Sequence, residues 1–169
     1  MKPTFSHKKL VVLTISIVLA LLCVIFIFSN SLKDSTESAE QSSSVYELVN
    51  SVTSLFGFTI SHALVRNLAH LAEFALLGIF TALISAAVFG YSHSSTKLQA
   101  AKKLIPAAAL CIAISIVDEL LQFSSVGRAP QISDALLDVL GAIIGISAVW
   151  ASLIICKAIS IKKSKKASL

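Results

Sequence analysis

Four long apolar runs constrain this sequence more than any other feature. An α-helix needs about 20 mostly apolar residues to cross the hydrocarbon core of a bilayer. The runs have about that length, and they cover residues 10–28, 68–90, 104–121 and 132–156. They predict an all-α, polytopic membrane protein built as a four-transmembrane-helix bundle.

The composition agrees with this prediction. Hydrophobic residues make up 56% of the 169 residues and charged residues only 14%, whereas a typical soluble domain is about 45–50% apolar. A chain of this length is too short for a membrane unit plus a separate soluble domain. We therefore expect one membrane domain over residues 1–169.

The basic residues indicate a lipid partner rather than a nucleic acid. The formal net charge is +5, but the lysines cluster at the ends of apolar runs. In that position they anchor helices to anionic lipid headgroups. We expect the lipid bilayer as a partner and no nucleic acid.

The first run resembles a signal peptide only in its basic start. Its apolar stretch of 19 residues exceeds the usual signal-peptide core of about 7–15. Ser29-Asn30-Ser31 is not an A-x-A cleavage site, and Leu22 before Cys23 argues against a lipoprotein. We expect an uncleaved span.

The three cysteines lie in or at the end of apolar runs and have no CxxC spacing. They therefore predict neither a disulfide framework nor a structural zinc site.

The lysines also predict the orientation of the chain. The N-terminus, residues 91–103 and the tail hold three, three and five lysines, which are 11 of the 14 basic residues. Cytoplasmic loops carry the excess of Lys and Arg in membrane proteins. The sequence therefore predicts that both ends are cytoplasmic.

The first outer loop, residues 29–65, has two parts. It opens with a serine-rich acidic stretch, Ser29–Ser44. Apolar residues then recur at helical spacing, which fits either an amphipathic helix on the outer membrane surface or a loop that folds back onto the spans. These residues are Val45, Leu48, Val49, Val52, Leu55 and Phe56.

Polar residues occur where lipid-facing residues are expected, and helix spacing groups them. We expect all of them within roughly 10 Å of the outer interface, at 1.5 Å per residue. Ionisable groups at such depth are rare and usually face a protein interior or a wet cavity. The predicted ligand-binding residues are Arg66, His70, Glu73, Asp118, Glu119, Gln122, Arg128, Asp134 and Asp138.

Two structural explanations compete with a functional site. Arg66, Arg128 and Asp134 lie near helix ends, where they can simply face water. The whole set can also form an ion-pair network that fixes helix geometry.

Gly141 and Gly145 form a GxxxG motif on the fourth run. This spacing lets helix backbones approach closely. We expect the glycines to face the second and third spans, with Gly78 in a similar position on the second.

Two sets of residues carry a family resemblance. The first comprises Arg66, His70, Glu73 and Phe74, and the second comprises Asp118, Glu119, Gln122, Arg128, Asp134, Asp138 and Gly141. Together with Ser29-Asn30-Ser31 they resemble the signature of VanZ-like membrane proteins. The chain departs from that signature at Phe74, where Tyr is common, and in the hairpin 124–128, which lacks the usual P-G-R.

The resemblance implies a multi-pass protein of the bacterial cytoplasmic membrane that acts in the cell envelope. The founding member of the family is associated with resistance to the glycopeptide antibiotic teicoplanin. The resemblance supports family membership more strongly than it supports any one function.

The first functional hypothesis is binding or transport of an anionic envelope lipid. Arg66 and Arg128 would hold a phosphate, because the planar guanidinium bonds phosphate bidentately, and His70 would donate to it. The carboxylates would then have to pair with the arginines, carry protons or hold a divalent cation.

The second hypothesis is an intramembrane enzyme that acts on an envelope lipid. The chain offers no obvious nucleophile with a partner base, so the cofactor and mechanism stay open between general acid–base chemistry and a hard cation such as Mg²⁺ or Mn²⁺. The candidate catalytic residues are His70, Glu73, Asp118, Glu119 and Asp138.

Overall fold

The computed structural model describes residues 6–90, 99, 102–129 and 131–167, and within these ranges it contains helices and no strand. Four of the helices are long and apolar enough to cross a membrane, so the predicted all-α four-helix membrane bundle is confirmed. The helices are α1 (His7–Ser31), α2 (Ser35–Ser54), α3 (His62–Phe89), α4 (Ile105–Ser124) and α5 (Ile132–Ala167).

The membrane helices extend beyond the apolar runs that predicted them. α3 begins at His62 rather than near Leu68, and the Ser61 side chain caps it by accepting a hydrogen bond from the Leu64 amide. α5 has 36 residues, about 54 Å at 1.5 Å per residue, which exceeds a hydrocarbon core of about 30 Å. Caps decide where a helix begins, whereas hydropathy marks only the part that lipid surrounds.

The prediction for residues 29–65 is partly wrong. The serine-rich stretch is mostly helical, because α1 continues to Ser31 and α2 starts at Ser35. Asp34 caps α2 by accepting hydrogen bonds from the backbone amides of Thr36 and Glu37, each at 2.9 Å. α2 then ends before Leu55 and Phe56, which lie outside the helix.

Contacts with Thr36 and Glu37 also lower the pKa of Asp34, which lies outside the membrane spans. Its pKa is lowered from the ordinary value, chiefly because the Thr36 hydroxyl donates to the carboxylate, and next because of the Glu37 amide. Ionised Asp34 therefore stabilises the start of α2.

α3 lies at the centre of the bundle and packs against the other four helices. Its contact with α5 is close because glycines leave room for the facing backbone, as the GxxxG motif predicts. A Cβ atom added at any of these glycines would collide with a backbone carbonyl oxygen. The pairs are Gly141 with Leu71, Gly145 with Ala75 and Gly78 with Ala142.

Small and apolar residues fill the core below these contacts. The first cluster joins α1, α3, α4 and α5, and the second joins α3, α4 and α5. Their buried members are Ala20, Ile27, Phe74, Leu77, Cys111 and Ala142 in the first, and Ala82, Leu104, Ala107 and Val149 in the second.

The segment 91–103, which the lysines predict to be cytoplasmic, lies mostly outside the described residues, including Lys97. In the described part, Lys103 Nζ donates to the Gly90 carbonyl oxygen at 2.6 Å. This bond closes the last turn of α3, since helix ends leave carbonyls without partners.

Candidate ligand site

The C-terminal ends of α1 and α4 and the N-terminal ends of α3 and α5 meet at one end of the bundle. This arrangement brings together the nine predicted ligand-binding residues, which we call the polar layer. Its members are Arg66, His70, Glu73, Asp118, Glu119, Gln122, Arg128, Asp134 and Asp138.

Asp138 links α5 to α3 and α4. Its side chain is fully buried. His70 Nδ1 lies 3.2 Å from Asp138 Oδ1, and the Ser115 hydroxyl donates to Oδ2 at 3.1 Å. One carboxylate therefore connects three membrane helices.

Asp118 is also fully buried, and its partners are uncharged. The Ser31 hydroxyl donates to Oδ1 at 2.5 Å, and Gln122 Nε2 donates to Oδ2 at 3.2 Å. The Gln122 contact is the one-turn spacing that the sequence predicts. Because buried charges need compensation, this environment suits either a protonated carboxyl or a bound cation.

His70, Asp118 and Asp138 form a compact group at the base of the polar layer. One potential ligand atom from each lies within 4.8 Å of the others. A nitrogen and two carboxylate oxygens suit a hard or borderline divalent cation. The sequence assigns no metal ligand and leaves a hard cation open as one interpretation of these residues, and this geometry favours that interpretation.

Glu73 is held by the end of α1. Asn30 Nδ2 donates to Glu73 Oε1 at 3.2 Å, and Lys33 Nζ donates to Asn30 Oδ1 at 3.0 Å. The Asn30 side-chain amide thus bridges Glu73 and Lys33 by two hydrogen bonds, and Glu73 forms no ion pair among the described residues.

The two arginines take different partners. Arg66 pairs with the buried Asp134, at 3.3 Å between Nη2 and Oδ2, while its Nε has no hydrogen-bond partner among the described residues. Arg128 donates from Nη1 to the Asn30 carbonyl oxygen at 2.9 Å. A pair between Arg128 and Asp118 or Glu119, which the sequence allows, is absent from the described contacts.

Glu119 faces the hairpin between α4 and α5. Its Oε2 accepts a hydrogen bond from the Gln131 backbone amide at 2.7 Å, whereas Oε1 is buried with no partner among the described residues. Glu119 therefore holds the start of α5 in place and stands apart from the His70 group.

A small cavity and a larger groove open at the polar layer. The cavity measures about 90 Å³, and Arg66, His70, Glu73 and Arg128 line it together with residues of α1 and α2. The groove measures about 520 Å³ and lies between α2, the start of α3 and the hairpin. The described lining of both spaces includes Arg66 and Arg128.

Sequence reasoning missed the uncharged partners of the carboxylates. Asn30 and Ser31 follow directly after the first apolar run and gave only the signal of a serine-rich helix end. Ser115 lies three residues before Asp118, on the same face of α4, but a single serine in an apolar run is common. The serines of α2 that line the cavities were assigned to a loop.

In the comparison with protein families, residues 15–156 match the VanZ/LLP1 model. The comparisons with curated proteins and with solved structures each give no significant match. The matched range includes all of α3 and α4, most of α1 and α5, and every residue of the polar layer. The chain therefore belongs to the VanZ/LLP1 family.

Proposed function

We propose that the polar layer binds the phosphate of an anionic lipid of the cell envelope. The observation that carries the proposal is that Arg66, Arg128 and His70 line one small cavity. Two guanidinium groups and an imidazole supply the donors that a phosphate needs, and arginine matches its geometry bidentately.

The size of the cavity supports a small anion. A volume of about 90 Å³ lies well below the roughly 300–1,000 Å³ that is typical of small-molecule sites. That space suits a single phosphate group and is too small for a whole lipid headgroup. The acyl or prenyl chains of the ligand would remain in the surrounding bilayer.

The carboxylates of the layer set a condition on binding. Glu73 is the one carboxylate among the described residues that line the cavity, and a negative charge there opposes an anion. Asp134 is already neutralised by Arg66. We therefore expect Glu73→Gln to strengthen phosphate binding, since it keeps the shape and removes the charge.

The direct test measures lipid retention by native mass spectrometry. The purified protein is placed in phosphatidylcholine nanodiscs that contain a minor fraction of phosphatidic acid. We expect preferential retention of phosphatidic acid and a loss of roughly tenfold, about 1.4 kcal/mol, in Arg128→Lys and in Arg66→Lys. Lys162→Gln, far from the site, is the control and should bind like the wild type. Equal retention of the two lipids by the wild type would refute the proposal.

The proposed location is the cytoplasmic membrane, with both ends cytoplasmic and the polar layer in the outer leaflet. The lysine distribution supports this orientation. In a variant without native cysteines, a cysteine at Ser43 or at the exposed Ser124 should react with an impermeant thiol reagent applied outside, and one at Ser94 should not. The opposite labelling pattern would show that the chain has the reverse topology.

A second candidate function is metal-dependent or acid–base catalysis on an envelope lipid. The convergence of His70, Asp118 and Asp138 within 4.8 Å favours it. Mn²⁺ titration followed by electron paramagnetic resonance tests the metal: a bound signal lost in Asp118→Asn would support it. A protein that neither binds Mn²⁺ nor turns over an envelope lipid would exclude this candidate.

The family association with teicoplanin resistance also becomes a proposal for this chain. A protein that sequesters or moves an anionic envelope lipid would alter glycopeptide susceptibility. The minimal inhibitory concentration of teicoplanin should rise when the wild type is expressed in a susceptible host, and the rise should be absent with Arg128→Lys. An equal rise with both proteins would show that the change in teicoplanin susceptibility does not depend on the phosphate site.

A further inference from the structure

The groove beside the phosphate cavity is large enough for a headgroup of its own. Its volume of about 520 Å³ lies within the range of about 300–1,000 Å³ that is typical of small-molecule sites. The groove adjoins the cavity, because the two spaces share four lining residues: Ser38, Ser42, Arg66 and Arg128. A group attached to a phosphate in the cavity would therefore extend into the groove.

The lining of the groove is rich in uncharged hydrogen-bonding groups. α2 contributes four serines, and Gln122 and Gln131 contribute amides from the opposite side. The apolar members are small, and the described lining contains no carboxylate. The four serines are Ser35, Ser38, Ser42 and Ser43.

A contact between α2 and the hairpin closes one wall of the groove. The Ser35 amide donates to the Val126 carbonyl oxygen at 3.1 Å. Gly127 has a positive φ of 74°, and a Cβ there would collide with the Ser35 hydroxyl. α2 thus supplies both the wall and most of the hydroxyl groups.

This chemistry discriminates among headgroups. An ammonium headgroup such as choline or ethanolamine requires carboxylates or an aromatic cage. The described lining has no carboxylate, and its single aromatic side chain, His62, already stacks on Tyr46. An apolar group would leave the serines and amides without partners. Hydroxyl groups both donate and accept, so they match serines, amides and guanidinium donors together.

Building on the phosphate site proposed above, we propose that the groove receives an uncharged, hydroxyl-rich headgroup, a sugar or cyclic polyol, esterified to the lipid phosphate. The ligand class is then a glycosyl or polyol phospholipid rather than a bare lipid phosphate. The arginines bind the phosphate, and the serines of α2 form hydrogen bonds with the hydroxyl groups of the headgroup.

The test compares three lipids with identical acyl chains in phosphatidylcholine nanodiscs: phosphatidic acid, phosphatidylinositol and phosphatidylserine. Native mass spectrometry measures the retention of each. We expect phosphatidylinositol to bind roughly tenfold more tightly than phosphatidylserine, a difference of about 1.4 kcal/mol. Phosphatidic acid should bind through its phosphate alone. A prenyl phosphate with and without one hexose then distinguishes a prenyl-linked sugar from a glycerophospholipid.

Groove-filling variants localise the effect. Ala39 and Ala63 line the groove but are not among the residues lining the cavity. Ala39→Leu should lower phosphatidylinositol binding roughly tenfold and leave phosphatidic acid binding unchanged. Ala63→Leu is the second variant in case the first does not fold, and Ala109→Leu, on an exposed position of α4, is the matched control.

The outcomes separate the two proposals. If phosphatidylinositol and phosphatidylserine bind equally, or if Ala39→Leu and Ala63→Leu lower both phospholipids alike, the headgroup inference is overturned and the phosphate site stands. If phosphatidic acid binds no better than phosphatidylcholine while phosphatidylinositol binds and responds to the groove variants, the phosphate proposal fails and the groove is a polyol site alone.

Discussion

The polar layer and the glycine contacts both join α3 to α5, and they hold these two helices together in different ways. At the glycines, backbone meets backbone with no polar side chain involved. In the polar layer, the helices meet through a histidine, an arginine and two aspartates: His70 with Asp138, and Arg66 with Asp134.

The difference between these two kinds of contact indicates that the glycines serve packing and the polar layer serves another role. Small residues are sufficient to pack membrane helices closely, and buried ionic groups often contribute little net stability. The polar layer also holds more carboxylates than its arginines can neutralise: five carboxylates stand against two guanidinium groups. A layer used only for packing would not require this excess, which suits bound protons or a cation and opposes a phosphate until it is neutralised.

The largest expected effect comes from the glycine contact. Gly145→Leu places a side chain against the Ala75 carbonyl, and we expect a loss of about 3 kcal/mol or more because overpacking forces the backbone apart. Thermal unfolding in detergent measures it. Ala148→Leu, at an exposed position of the same helix, is the control; equal stability of the two variants would show that the close contact is not essential.

A smaller effect is expected within the polar layer. Asp138→Ala removes the partner of both His70 and the Ser115 hydroxyl, which should cost roughly 1–3 kcal/mol. Asp138→Asn keeps an acceptor of the same size and should recover most of that loss. If Asp138→Asn melts as low as Asp138→Ala, the charge itself rather than the hydrogen bonds maintains the fold.

The smallest effect is a pH dependence at the start of α2. The pKa of Asp34 is lowered in the folded protein, so its stabilisation is fully present above the unfolded value near 3.8. It is lost as the pH falls through the lower folded value. Hydrogen exchange of α2, corrected for intrinsic rates, should show fraying only at such acidic pH. Asp34→Asn, which cannot titrate, should remove the dependence.

The sequence predicts the bundle well because hydropathy depends on single residues and their spacing. The four apolar runs follow from hydropathy. The GxxxG contact and the convergence of the charged residues follow from helix periodicity applied to α3, α4 and α5. The spacing of Asp118 and Gln122 places them one turn apart on the same face, where they form a hydrogen bond.

The partners of each charge depend on distances between helices, which spacing along one helix does not give. Asn30 and Ser31 reach Glu73 and Asp118 because α1 continues past its apolar run. Arg128 turns to a backbone carbonyl for the same reason. The sequence indicates a helix only from Val45 onward and misses the serine-rich first half of α2, because serines disfavour a helix unless a cap such as Asp34 begins it.

The most direct measurement combines stability and lipid retention in the double variant Arg66→Met/Asp134→Leu. Arg66→Met alone leaves Asp134 buried without its partner and should lower the melting temperature. The double variant should recover the melting temperature, since it removes both charges. If the polar layer serves a ligand, the double variant melts like the wild type and no longer retains phosphatidic acid. If it recovers both properties, Arg66 and Asp134 form a structural pair and the central claim is contradicted.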